Sequence, residues 1–147
     1  MRAKTVFELK KKKGDYRNIK FNITAHLNSR GIKKIVSSKA IEKSHINGFT
    51  ESEHFEAASR VNDLYKMATR MTSDKDKNGS PDILSVKRFY TEIKMKSGKF
   101  ATAKITVIES QQNSHTIHSV ELFAENSIPP VNALALCRPA KLFWSAA

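Results

Sequence analysis

The chain has 147 residues, enough for one domain with its own core, and no apolar run approaches the roughly 20 residues that a membrane-spanning helix needs. The formal charge is +12, and the first 44 residues hold 13 Lys/Arg against 3 Asp/Glu, so the excess sits at one end and points to a polyanionic partner: nucleic acid, an acidic protein or an anionic membrane. Cys137 is the single cysteine, which excludes an intramolecular disulfide, and the N-terminus lacks the apolar core of a signal peptide; both features suit a protein that acts in the cytoplasm.

In chain order, Thr5-Val-Phe-Glu-Leu9 reads as a short strand, and Lys10 to Lys13 as a solvated basic arm or turn that touches phosphates without reading sequence. Ile19 to Ile23 alternates and reads as a second short strand. From Thr24 to His45 the pattern is helical, interrupted at Gly31, with Ile32, Ile35, Val36 and Ile41 as its apolar stripe and Lys33, Lys34, Lys39 and Lys43 around it. A turn at Asn47-Gly48 follows. Thr50-Glu-Ser-Glu53 is a capping box, and the stripe Ala58, Val61, Leu64, Tyr65, Ala68, Met71 predicts one helix to about Thr72. Asp74 to Asp82 partly matches a calcium loop, but its eighth position is Pro81 and its twelfth is Ser85 where a bidentate Glu is needed, so it reads as a linker.

Val86 to Phe123 then reads as an antiparallel meander of three strands, with turns at Ser97-Gly98 and Gln111 to Ser114. Alternation puts Phe89, Thr91, Ile93 and Met95 on one face of the first strand, and Arg88, Tyr90, Glu92 and Lys94 on the other. In the second strand Ala101, Ala103, Ile105 and Val107 face the core, opposite Thr102, Lys104 and Thr106. The fold class is therefore α+β, N-terminal helices on one face of an antiparallel sheet. The divisions are a basic segment at 1–20, an α+β domain at 21–127 and, after Pro129-Pro130, a tail at 128–147.

The polar sheet face carries Arg, Tyr, Lys and Thr together. A merely solvated face reads the same way. His115 and His118 are three apart on a strand, which sends them to opposite faces, and the other histidines have no metal-ligand spacing, so no metal and no cofactor is expected. What remains suits cleavage of RNA by its own 2′-hydroxyl. That reaction needs a base, an acid for the leaving 5′-oxygen, and cations or hydroxyls for the phosphorane charge. Arg88, Tyr90, Lys104 and Thr106 supply the sheet face, His45 or His54 the helix side, and His118 or Ser119 the third strand.

The helical first half, then Val-Lys-Arg-Phe-Tyr-Thr-Glu-Ile, a hairpin, Ala-Lys-Ile-Thr-Val-Ile-Glu and His-Ser-Val-Glu-Leu, resembles the toxin domains of phage polyvalent proteins. These are similar to the barnase/EndoU/colicin/RelE (BECR) fold of small RNases, and the same module ends contact-dependent growth-inhibition toxins. The resemblance covers about residues 20–125. It implies a metal-independent endoribonuclease directed at tRNA, neutralised by an acidic immunity protein, with a host translation factor as a further partner. It also implies secretion or delivery within a larger toxin and action in the target-cell cytoplasm. Carried onto this chain, it gives Arg88 and Tyr90 from the Arg-Phe-Tyr strand and Lys104 and Thr106 from the Lys-Ile-Thr-Val strand; with the residues read above, the candidates are His45, Arg88, Tyr90, Thr106 and His118 for catalysis and Lys39, Lys43 and Lys104 for nucleic-acid contact. The family's third strand usually has an aromatic–Asp pair where this chain has His118-Ser119, so the third-strand role stays open, as does the base among His26, His45, His54 and His118. Two other readings stand beside it: a non-catalytic nucleic-acid-binding module, and a domain docking on an acidic protein.

Overall fold

The computed structural model describes residues 1–74, 83–110 and 114–125. These form helices α1 (Arg2–Lys10), α2 (Ser29–Ile35), α3 (Ser38–Ile46), α4 (Glu51–Ala58) and α5 (Val61–Met67), and strands β1 (Gly14–Arg17), β2 (Thr24–Leu27), β3 (Arg70–Asp74), β4 (Ile83–Lys94), β5 (Phe100–Ser110) and β6 (Ser114–Ala124). One sheet holds all six strands in the order β1-β2-β6-β5-β4-β3. Its pairings are antiparallel except where β2 meets β6 in parallel, at His26 and Thr116. The fold is α+β, helices on a sheet, and that parallel junction is the one departure from an antiparallel sheet. The calcium-like linker, the Gln111 turn, Cys137 and the Pro-Pro tail lie wholly or largely outside the described residues.

The central strands follow their alternation. Phe89, Ile93, Ala101, Ala103, Ile105 and Val107 are each 2 % exposed or less and join Ile117, Val120 and Leu122 of β6 in one core with Leu9, Ile32, Ile35, Phe55, Val61 and Tyr65 from the helices. Gly98 turns the β4–β5 hairpin at φ +94°, a conformation in which a side chain is strained. The capping box forms in full: Glu53 N–H donates to Thr50 Oγ1 at 3.1 Å and Thr50 N–H to Glu53 Oε1 at 2.9 Å.

Four local expectations are corrected. Residues 5–9 lie in α1, not a strand: Thr5 and Leu9, four apart, are both buried, and tertiary burial outweighs the β-propensity of Thr-Val-Phe. The Lys10 to Lys13 stretch is a turn, as one of its two readings had it, and not a loose arm. Its backbone closes α1, Lys12 Nζ donates to the Ser59 carbonyl at 2.7 Å, and Lys13 Nζ donates to Ser29 Oγ at 2.9 Å. Residues 19–23 are the turn between β1 and β2, and residues 24–27 are a strand. The buried Asn18 amide ties that turn to the end of α5 by donating to the Tyr65 and Ala68 carbonyls, at 2.7 and 2.9 Å. The expected single helix to Thr72 breaks after Ala58, where Ser59 Oγ donates to the Glu56 carbonyl at 2.8 Å and Lys12 takes the Ser59 carbonyl; the chain turns again at Ala68 into β3.

Two contacts hold the α2–α3 unit to β6. At Gly31, in the first turn of α2, an added Cβ would lie 2.2 Å from the Ile117 carbonyl oxygen, so only glycine allows the helix this close. At the other end, α3 runs along the part of β6 that β2 does not cover. Leu122 N–H donates to Ser44 Oγ at 3.2 Å, and Asn47 Nδ2 donates to the Leu122 carbonyl at 2.9 Å. Ser44 in turn faces His54 Nδ1 at 2.8 Å, and His54 Nε2 faces the Ile35 carbonyl at 2.8 Å. A carbonyl only accepts, so Nε2 carries the proton; burial disfavours a second one, so Nδ1 accepts from the Ser44 hydroxyl and the ring is neutral. His54 is thus a buried core residue.

Replacing Ser44 with Ala leaves both the Leu122 N–H and His54 Nδ1 without their partner. Each orphaned group costs about 1–3 kcal/mol, so Ser44→Ala should lower the urea midpoint clearly; a change within about 0.5 kcal/mol, typical of a neutral surface site, would contradict the network. Burial also depresses the His54 imidazole below its usual 6.5, against the raising influence of the Ile35 carbonyl, Glu121 and Glu51. The unfolded chain therefore takes up this proton first. The stability it contributes is full above about 6.5 and is lost as pH falls from there towards the folded value, with His115 and His118 acting in the same direction. The urea midpoint should fall between pH 7.5 and pH 5, and less steeply in His54→Gln; equal slopes would show that His54 is not the buried neutral group described.

Candidate functional site

The lysines of α3 recur at Lys39 and Lys43, one helical turn apart and so on one face, while Ala40 and Ser44 of the same helix are buried. That face borders an open pocket of about 220 Å³ against β5 and β6. From the helices come Lys34, Ser37, Lys39, Ala40 and Lys43; from the sheet come Thr106, His118, Ser119, Val120 and Glu121. Ser37 is the N-cap of α3, its side chain accepting from Ala40 N–H at 3.2 Å, and the first turn holds no acidic residue. The positive end of the α3 dipole therefore adds to three ammonium groups.

His118 reaches the pocket through a β-bulge. Thr106 is paired with Ser119 and Val107 with Ile117, which leaves His118 as the extra residue of β6. The bulge also switches the phase of the strand: Ile117 is buried before it, Val120 and Leu122 after it, and Ser119, Glu121 and Phe123 take the polar face. His118 is partly buried. Burial first, then the positive charges of Lys34 and Arg30, hold its imidazole below the usual 6.5, so it is neutral at pH 7. Glu121 is held by Lys104 Nζ at 3.3 Å and by Asn47 Nδ2 at 3.2 Å.

Of the residues singled out in the sequence, Lys39, Lys43, Thr106 and His118 meet in this pocket. Arg88 is paired with Thr106 one strand further on, and its Nη1 lies 3.1 Å from Asp74 Oδ2. Tyr90 is paired with Lys104 in the next rank, and Lys104 with Glu121 beyond it. The four residues Arg88, Tyr90, Lys104 and Thr106 do form one patch, but Tyr90 is only 4 % exposed. His45 is exposed in the last turn of α3 and does not line the pocket. His26 pairs with Asp15 across β1–β2. His115 lies 3.9 Å from Glu109, which also accepts from Ser85 Oγ at 2.7 Å and Lys87 Nζ at 3.0 Å; the Ser85 hydrogen bond and then Lys87 hold the Glu109 carboxyl below the usual range.

The pocket also contains Ser37 and Glu121, to which the sequence reading gave no role. Glu121 was within reach of it: two residues beyond Ser119, it shares that residue's strand face. Ser37 is signalled as a Ser preceding a helical stretch, the usual chemistry of an N-cap. Among the described residues, no group of three or more His, Cys, Asp or Glu side chains is placed to hold a metal ion, and no helix is long and apolar enough to cross a membrane.

No curated protein and no solved structure matches the chain. The family model of the large polyvalent protein-associated domain 3 matches residues 2–118, from the first turn of α1 to the bulge histidine of β6, and the chain therefore belongs to that family.

Proposed function

We propose that this domain is a metal-independent endoribonuclease, carried within a larger polyvalent protein, that cuts RNA by 2′-hydroxyl attack in the α3–β6 pocket. The observation that carries the reading is a neutral imidazole, His118, set among Lys34, Lys39 and Lys43 in one open pocket. A neutral imidazole is the form that takes the 2′-hydroxyl proton. As the 2′-oxygen bonds to phosphorus the P–O5′ bond breaks; the three ammonium groups and the N-terminal end of α3 hold the scissile phosphate and offset the charge that grows on it, and one of those ammonium groups protonates the leaving 5′-oxygen. Thr106 and Ser119 bring hydroxyls to the same wall for its oxygens. Arg88 and Lys104 extend the cationic surface, while His45 and Tyr90 receive no part in the chemistry. The resemblance of the strands to small RNase toxins supports the same reading, with tRNA as substrate, an acidic immunity protein as inhibitor and the target-cell cytoplasm as the place of action.

A second reading is a nucleic-acid-binding module without cleavage. It is favoured by the ion pairs Arg88–Asp74, Arg70–Glu92 and Lys104–Glu121, which neutralise much of the sheet face and leave the charge excess to the first 44 residues. It predicts binding that weakens steeply with salt and leaves RNA intact.

Incubating total tRNA with the protein in EDTA separates the two. Cleavage is expected, and His118→Ala should slow it by about 100-fold or more, the lower end of what a general base contributes. The rate should fall only as pH drops below 6.5, because the base must be unprotonated and its folded value lies under 6.5. Lys34→Ala removes a neighbouring positive charge and should move that acidic limb to higher pH. Intact RNA, or undiminished cutting by His118→Ala, would overturn the assignment.

A further inference from the structure

Beyond Glu121 the polar sheet face changes character. Phe123 follows two residues later on β6, about 7 Å along the strand, and is paired with Thr102. Phe100 stands two residues before Thr102 on β5, a diagonal neighbour of Phe123 at about 7–8 Å by strand geometry. Phe100 is 50 % exposed, and Phe123 is partly exposed. Each ring has an ammonium against it: Lys94 Nζ lies 5.7 Å from the Phe100 centroid and Lys104 Nζ 5.2 Å from that of Phe123. Thr102, fully buried between them, donates to the Glu92 carboxylate at 3.0 Å.

We infer that Phe123 and Phe100 form a stacking lane for unpaired bases, leading away from the α3–β6 pocket, so that the ligand is single-stranded RNA rather than a duplex. The inference rests on the nucleic-acid reading of that pocket and extends it to substrate class. Aromatic rings spaced along a sheet face receive bases by their π-faces, which a duplex keeps stacked inside itself. Lys94, beside Phe100, meets the phosphates of such a strand, and Lys39 and Lys43 carry the positive surface into the pocket. Because Lys104 is paired with Glu121, the lane attracts chiefly through its rings, and its contribution differs from the salt-sensitive contribution of the lysine-rich helices.

The test is fluorescence anisotropy with a labelled 2′-O-methyl oligoadenylate, alone and annealed to its complement, at two salt concentrations. This strand has no 2′-hydroxyl to attack, so binding is read independently of cleavage. The single strand should bind more tightly than the duplex. Phe100→Ala and Phe123→Ala should each weaken single-strand binding by about 5- to 150-fold, the range for loss of one stacked base, and leave the duplex and the salt slope unchanged. Phe100, being half exposed, decides the matter if Phe123→Ala melts without a cooperative transition. Equal binding of strand and duplex, or wild-type affinity in Phe100→Ala, would overturn the lane even if the pocket cleaves RNA; loss of affinity in these variants would uphold it even if the pocket does not.

Discussion

The hold of the α2–α3 unit on strand β6 is the constraint from which the rest follows. It has two fixed points. At Gly31 the helix backbone meets the Ile117 carbonyl so closely that a methyl group would not fit. At Ser44 a single hydroxyl accepts from the Leu122 N–H and donates to a buried, neutral His54, whose other nitrogen reaches back to Ile35 of α2. Three helices and one strand edge thus share one chain of hydrogen bonds. Inside the protein an incomplete network of this kind is costly, so the arrangement is all or nothing. It also protects the stretch of β6 that has no strand neighbour on the side away from β5, an edge that would otherwise offer bare N–H and C=O groups to other chains.

Between those two points β6 carries its extra residue. The bulge turns His118 into the gap and changes which residues face the core, so that Ser119 and Glu121 arrive on the same side as Thr106. The pocket is therefore a product of packing. Its lysines come from the solvent side of α2 and α3, whose opposite sides are buried, and burial, with the charges of Lys34 and Arg30, holds the histidine below its usual 6.5. Lys34, one of the cations that would hold a phosphate, also tunes the group that would act on its neighbour.

What could be read in the sequence was what is decided locally. The β4–β5 hairpin was legible because alternation and a glycine at the turn are sufficient for it, and the start of α4 because its capping box involves only four residues. The four-residue strands β1 and β2 were not legible, since β2 gains its place by pairing with β6 about ninety residues later. The break between α4 and α5 depends on Lys12 reaching Ser59 from another helix. Arg88, Lys104 and Thr106 were correctly grouped by period two, but the same rule gave no hint of how covered Tyr90 is. The histidines were the hardest to separate, because His45 and His54 differ by burial and not by neighbouring sequence. One signal for the bulge was present: the apolar residues Ile117, Val120 and Leu122 step by three and then by two, whereas an unbroken strand steps by two throughout.

Membership of a polyvalent-protein-associated family places the domain among modules of larger proteins and leaves its chemistry to be argued from the pocket. The most direct test of that chemistry is an NMR titration of the His118 imidazole, with and without inorganic phosphate. The account predicts a midpoint below 6.5 in the free protein, rising when phosphate occupies the pocket and offsets the charge of Lys34 and its neighbours. A midpoint at or above 6.5 that phosphate does not move would show that the cations and the imidazole do not share one site.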